Sequence, residues 1–354
     1  MKPKYEQLAD NLRKQILSGV YQKNELIPSE NKLQEKYGLS RYTVRQAIGV
    51  LVEEGLLRKE RGAGTFVSKI DQGTKTIGVI MTYLSDYIFP SIIRGLEKEL
   101  SQQGYSLILG TTNNDPDQEK ACLKRMLNQK VDGFIIEPTK SNQYNPNLAY
   151  YSMIKERNIP VLMINAYYEA LEVPHICVND TKSGYLATKY LLNHHHEHIL
   201  LVTKIDDLQG KYRLKGFIKA IQECGKTFEP EDIITYTTES REEMIAKVVK
   251  RFEKAQNVPT SIVAYNDEMA TSLIQALLEK GYKVPEDVSV IGNDDSALSR
   301  NGQTKLTTFT HPKEKMGELA SQYIIKAIEG QQIDSFYFEP KIVERESVRS
   351  VDKK

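Results

Sequence analysis

From Ile77 onward the chain repeats one unit: a short run that is apolar at nearly every position, a polar break, then a helical stretch. Ile77–Met81, Tyr105–Leu109, Val131–Ile136 and Ile159–Ile164 form one series of such runs. After residue 170 a second series begins near 175–178, 198–203, 232–236, 260–264 and 287–292. The intervening stretches, among them 90–103 and 115–129, have helical spacing. A strand with one face in water alternates polar and apolar residues. Runs apolar on both faces, spaced by crossover helices, require a parallel sheet covered on both sides. The restart predicts two doubly wound α/β layers of similar size. Ligands of such sheets bind beyond the carboxyl ends of the strands, here in the cleft between two lobes.

The first 70 residues follow another pattern. Leu8, Leu12, Ile16 and Leu17 give a helix over 5–18 that stops at Gly19. Ser29 can cap a second helix, and Glu30 favours its positive N-terminal end. Tyr37-Gly38 ends it. Ser40 can cap a third helix with apolar positions Val44, Ala47, Ile48 and Leu51. Arg41 and Arg45 lie one turn apart and share a face. Gly55 closes the helix, and 56–60 and 65–67 pair across the glycine tip Arg61-Gly62-Ala63-Gly64, with Phe66 and Val67 folding back onto the helices. Two helices joined by a tight turn, the second bearing arginines, suit the DNA major groove. Guanidinium forks grip guanine or phosphate, with Thr43 and Gln46 as secondary candidates. Charge agrees: residues 1–70 carry 13 Lys/Arg against 8 Asp/Glu, whereas the remainder carries 35 against 39.

Pro28-Ser29-Glu30, Ser40-Arg-Tyr-Thr-Val-Arg45 and Gly62-Ala-Gly-Thr-Phe-Val67 resemble the winged-helix reader of the GntR family. The resemblance places Glu30, Arg41, Thr43, Arg45, Arg61 and Gly64 at or near DNA, and makes Lys4 a phosphate contact. Residues 76–348 resemble the sensing core of LacI-family regulators, related to periplasmic sugar-binding proteins. The likeness is carried by Val131-Asp-Gly-Phe-Ile-Ile136, Val178-Asn-Asp180 with Gly184, Tyr212-Arg213, Ala264-Tyr-Asn266-Asp267, Asn293-Asp294-Asp295 and Leu306–Pro312. It implies ligand contacts from Phe89, Glu137, Asn165, Arg213, Asn266 and Asp294, with His311 nearby. It also implies chain crossings between lobes near 165–170, 297–303 and 322–330, with one lobe formed by 76–165 and roughly 303–325. Carboxylates, amides, a guanidinium and an aromatic ring suit a sugar. A GntR-type head in place of a LacI-type head resembles the arabinose-responsive repressors of Gram-positive bacteria, which makes L-arabinose the expected ligand. The domains expected are 1–70, a linker at 71–76 and 77–348. The function expected is an operator-binding homodimer released by sugar.

Other readings are weaker. A purine could replace the sugar in the same kind of core, or the core could be a sugar-binding module without regulation, or a sugar-acting enzyme. No phosphate-cradling loop and no catalytic constellation stands out, and no cofactor is called for. Three scattered cysteines, Cys122, Cys177 and Cys224, read as small apolar side chains and not as a disulfide or zinc framework. His194-His-His-Glu-His198 could bind a metal, but it falls where a helix should end before a strand. No run is apolar for long enough to span a bilayer, and Met1–Gln7 lacks the apolar run of a secretory signal, so a cytoplasmic protein is expected.

Overall fold

The computed structural model describes residues 2–17, 19–68, 73–85, 87–253 and 257–351. The side chain of Leu17, residues 69 and 70, and residues 71 and 72 of the expected linker lie outside the described residues. The chain divides into two units, Met1–Thr74 and Lys75–Lys354.

The first unit holds helices α1 (Lys4–Leu17), α2 (Glu30–Tyr37) and α3 (Arg41–Glu53), then the antiparallel hairpin β1 (Leu57–Glu60) and β2 (Gly64–Val67). Ser29 caps α2 by accepting from Lys32 N, and Gly38 ends it with φ 63°. Ser40 caps α3 by accepting from Thr43 N. Leu8, Leu12, Ile16, Leu33, Val44, Ala47, Ile48, Leu51 and Val67 form the core. Arg13 Nη2 reaches Glu54 Oε1 at 2.6 Å and ties α1 to the end of α3. Phe66 departs from expectation. Successive strand residues face opposite sides, so Val67 is buried while Phe66 points the other way, with Arg58 of the paired strand 5.4 Å from its ring.

The second unit has two lobes. The first begins with β3 (Thr76–Met81), α4 (Phe89–Gln102), β4 (Ser106–Thr111), α5 (Pro116–Asn128), β5 (Gly133–Ile136), α6 (Leu148–Glu156), β6 (Val161–Ile164) and β7 (His175–Val178). The second holds α7 (Asp180–Asn193), β8 (Ile199–Lys204), α8 (Leu208–Glu223), β9 (Ile233–Tyr236), α9 (Arg241–Glu253), β10 (Ser261–Ala264), α10 (Asp267–Glu279), β11 (Ser289–Ile291), α11 (Leu298–Asn301) and β12 (Thr308–Phe309). The chain returns to the first lobe for α12 (Lys313–Ile328) and β13 (Phe336–Phe338), then to the second for β14 (Ile342–Val343).

The two layers are unequal, contrary to the sequence expectation. The parallel sheet of the first lobe has six strands in the order β13-β7-β6-β5-β3-β4, and that of the second has four, β11-β10-β8-β9. The run at 175–178 closes the first sheet instead of opening the second, because Ile176 and Val178 pack into the first lobe's core. The crossings therefore fall at 178–180, 309–313 and 338–342, and 322–330 lies largely within α12. They are bonded side by side: Asn179 N donates to Phe338 O at 2.9 Å, and Thr310 N to Lys341 O at 2.8 Å.

Each lobe has one very close helix pair, α4 with α12 and α7 with α8. A Cβ on Gly95 would lie 2.0 Å from Glu314 O, and one on Gly184 would lie 2.1 Å from Arg213 O. Such contacts leave no room for a side chain at either crossing. His196 is buried in the turn before β8, with its ring nitrogens 3.0 Å from Thr260 Oγ1 and 3.0 Å from Arg349 O. Among the described residues no group of three or more His, Cys, Asp or Glu could hold a metal ion, and no helix is long and apolar enough to cross a membrane. Cys122 and Cys177 are buried and Cys224 is partly exposed.

Candidate functional site

In the first unit, α3 presents Arg41 and Arg45 to solvent, with side chains 61% and 55% exposed. Glu30, the first residue of α2, accepts from both: Arg45 Nε at 2.8 Å and Arg41 Nε at 3.3 Å. The two guanidiniums hold its carboxyl below the usual glutamate value against the opposing pull of burial. Both contacts use Nε, so the Nη groups of the two arginines lie outside them. Gln46 and Lys4 are exposed, as are Arg61 and Gly64 at the wing tip. Gly62 and Gly64 both take positive φ, 82° and 124°. Thr43 serves the cap: its hydroxyl lies 2.9 Å from Ser40 Oγ.

In the second unit, a cavity of about 300 Å³ lies between the lobes. Phe89, Glu137, Asn165, Arg213, Asn266, Asp294 and His311 all line it, so every ligand-contact residue expected from the sequence comes to one place. Strand geometry explains this. Glu137 follows β5, Asn165 follows β6, Asn266 follows β10 and Asp294 comes shortly after β11.

A buried hydrogen-bond chain fixes one wall. Glu137 Oε2 accepts from Thr82 N at 2.9 Å, and Glu137 Oε1 from Asn165 Nδ2 at 2.7 Å. Asn165 Oδ1 is 3.0 Å from His311 Nε2. Burial raises the Glu137 pKa despite these donors, and lowers that of His311 to about 4. His311 is therefore neutral at pH 7. Because the amide nitrogen of Asn165 is used on Glu137, its oxygen assigns the proton to His311 Nε2, leaving Nδ1 as an acceptor. Among the described residues Nδ1 has no partner.

Arg213 anchors the opposite wall. Its Nε donates to Asp180 Oδ1 at 2.8 Å, its Nη2 is 3.6 Å from Asp294 Oδ1, and its guanidinium sits 5.0 Å over the Tyr265 ring. Burial works against its charge, but Asp180 and Asp294 outweigh it and raise its pKa. Tyr87 reaches across from the first lobe, donating to Asp294 and accepting from Asp267 N at 3.2 Å. Asn266 lines the cavity and caps α10, its Oδ1 accepting from Met269 N at 2.8 Å. Asn293, Asp294 and Asp295 bond different partners, Ser183, Tyr87 and Arg300 respectively.

Sequence reasoning missed several lining residues: Tyr83, Tyr87, Lys204, Asp207, Tyr236, Arg241, Tyr265 and Glu268. Lys204, Tyr236 and Tyr265 stand at or just past the ends of β8, β9 and β10, where the strand-end rule applied evenly would have found them.

The comparisons with known proteins fit this architecture. Residues 4–67 match the bacterial regulatory proteins of the gntR family. Residues 74–349 match the family of periplasmic binding proteins and sugar binding domains of the LacI family. The chain is 46% identical over 363 residues to an arabinose metabolism transcriptional repressor of Halalkalibacterium halodurans, covering 98% of this chain and 97% of that protein. It is 40% identical over 358 residues to the repressor of the same description from Geobacillus stearothermophilus, covering 99% and 98%. The crystal structure of the transcription regulator CcpA of Lactococcus lactis superposes with a TM-score of 0.69 at 23% identity, covering 77% of this chain and 99% of that one. A gntR-type winged helix followed by a LacI-type sugar-binding core defines a sugar-responsive transcriptional repressor. The chain belongs to the family of arabinose metabolism transcriptional repressors.

Proposed function

We propose that the protein is a cytoplasmic homodimer that binds a pseudo-palindromic operator through α3 and the wing, and that L-arabinose in the interlobe cavity releases it. The observation that carries the reading is the convergence of Glu137, Asn165, Arg213, Asp294 and His311 on one cavity. Its mixture of forked donors, carboxylates and a neutral imidazole matches the hydroxyls of a sugar and holds no reactive nucleophile poised over a base. Two heads are needed because one winged helix reads few base pairs. Arg41, Arg45, Gln46, Lys4 and Arg61 contact DNA, with Glu30 orienting the first two. Release requires that sugar favour the arrangement that binds operator poorly, a coupling of roughly 1–3 kcal/mol.

A gel-shift titration tests it. L-arabinose should weaken operator binding, and the sugar should be recovered unchanged. Arg45→Ala should cost operator affinity about 1–3 kcal/mol while leaving stabilisation by sugar intact. Arg213→Ala should give the reverse, a protein that stays on DNA when sugar is present. Operator affinity indifferent to L-arabinose would overturn the proposal.

A further inference from the structure

One stretch of the cavity wall has a double attachment. β8 ends at Lys204, and Ile205, Asp206 and Asp207 turn the chain into α8. Lys204 is 9% exposed, with Nζ 2.6 Å from Asp207 Oδ2 and 3.7 Å from Asp206 Oδ1. Lys204 and Asp207 both line the cavity. Asp206 does not; its Oδ2 accepts from Thr238 N at 2.9 Å and Thr238 Oγ1 at 2.7 Å. An ammonium has three donors. Asp207 takes one, and Asp206 is beyond hydrogen-bond range. Lys204 thus keeps donors for a cavity occupant. Asp207 accepts from Tyr265 Oη at 3.2 Å and retains further acceptor capacity. Burial presses Lys204 toward its neutral form, but Asp207 and Asp206 outweigh it and its pKa stands above the ordinary lysine value.

The backbone of the same stretch is gripped by the first lobe. Ile205 O accepts from Asn142 Nδ2 at 2.9 Å, Asp206 O accepts from Asn142 N at 3.0 Å, and Leu208 N donates to Ser141 Oγ at 2.8 Å. Ser141 and Asn142 lie outside the cavity.

We infer that Lys204 and Asp207 form a donor–acceptor pair that reads two adjacent hydroxyls of the sugar, and that the Ser141–Asn142 clasp makes this reading conditional on lobe closure. The inference rests on the sugar-responsive reading above. A carbohydrate hydroxyl both donates and accepts, so one member of a vicinal pair accepts from the ammonium while its neighbour donates to the carboxylate. An analogue lacking either hydroxyl leaves a buried charge without that partner, and a site of this kind rejects it strongly. The clasp fixes the backbone that carries both charges, so opening the lobes frees the pair from its reading position.

Calorimetric titration of the full chain with L-arabinose and its mono-deoxy analogues tests this in wild type, Lys204→Met, Asp207→Asn and Asn142→Ala. Wild type should bind the analogues lacking either of two neighbouring hydroxyls at least about tenfold more weakly. Lys204→Met and Asp207→Asn should bind L-arabinose more weakly and no longer discriminate against those analogues. Asn142→Ala should weaken every sugar by a common factor and keep the wild-type ranking. If a single charge change unfolds the chain, the double variant Lys204→Met/Asp207→Asn removes both charges together and carries the same expectation. Variants that keep the wild-type ranking at Lys204 and Asp207 would overturn the pair, and an Asn142→Ala protein with wild-type affinities would overturn the clasp. A wild type that binds no pentose would sink the sugar reading itself.

Discussion

Asp267 shows what burial does to a single group. Its oxygens accept from Thr308 Oγ1 and from Ser296 N, and burial, then the neighbouring Asp294, push its pKa up to about 7. The ordinary aspartate value is 3.8. Between these values the folded chain holds a proton that the unfolded chain has lost, so this group's contribution to stability falls as pH rises from 4 to 7 and levels off above. Urea unfolding of wild type and Asp267→Asn across that range should diverge by at most roughly 1.4 kcal/mol per pH unit, wild type losing ground as pH rises. Parallel profiles would show that Asp267 titrates normally. At this scale the sequence was informative about position and silent about partners. Residues following apolar strands were bound to reach the cleft, which is why Glu137, Asn165 and Asp294 were legible. That Thr43 closes a cap, that Asn266 spends its oxygen on Met269 N, or that Lys204 pairs with Asp207 depends on side-chain direction, which sequence spacing does not encode.

Among elements, helix crossings carry the strictest demands. On α4 and α12 the glycines face each other's backbone: a Cβ at Gly317 would stand 2.2 Å from Ile92 O, as one at Gly95 would from Glu314 O at 2.0 Å. Gly95→Ala must push the helices apart, and should cost about 1–3 kcal/mol in urea unfolding, with Gly184→Ala doing the same in the other lobe. Wild-type stability in either variant would mean the crossing is loose. Caps and stripes made the three helices of the first unit readable almost residue by residue, because their signals are local. The run at 175–178 was readable as a strand but not as the fifth of the first sheet in chain order. Assigning a strand to a sheet requires knowing which core takes Ile176, and that is decided by chain far away, at β13. Phe66 was misplaced for a simpler reason: period-two alternation was not applied across a three-residue strand.

For the molecule as a whole, the division at Thr74 predicts separable functions. The fragment 1–74 should bind operator weakly and without response to sugar in a gel shift, and the fragment 75–354 should bind sugar with nearly full affinity in calorimetry. A sugar-sensitive 1–74 fragment would refute that division of labour. Within the larger unit, the peptide passes between the lobes three times, at 178–180, 309–313 and 338–342, and the middle segment of the trio is the last in sequence. Three tethers lying side by side and laced to one another leave rotation about a single line as the easy motion, whereas one tether would permit swivelling in every direction. The receptor therefore converts any guest into one scalar, an angle. Molecules of different shape that wedge the jaws to the same aperture would deliver the same message, and one that props them half-way would act as a partial inducer.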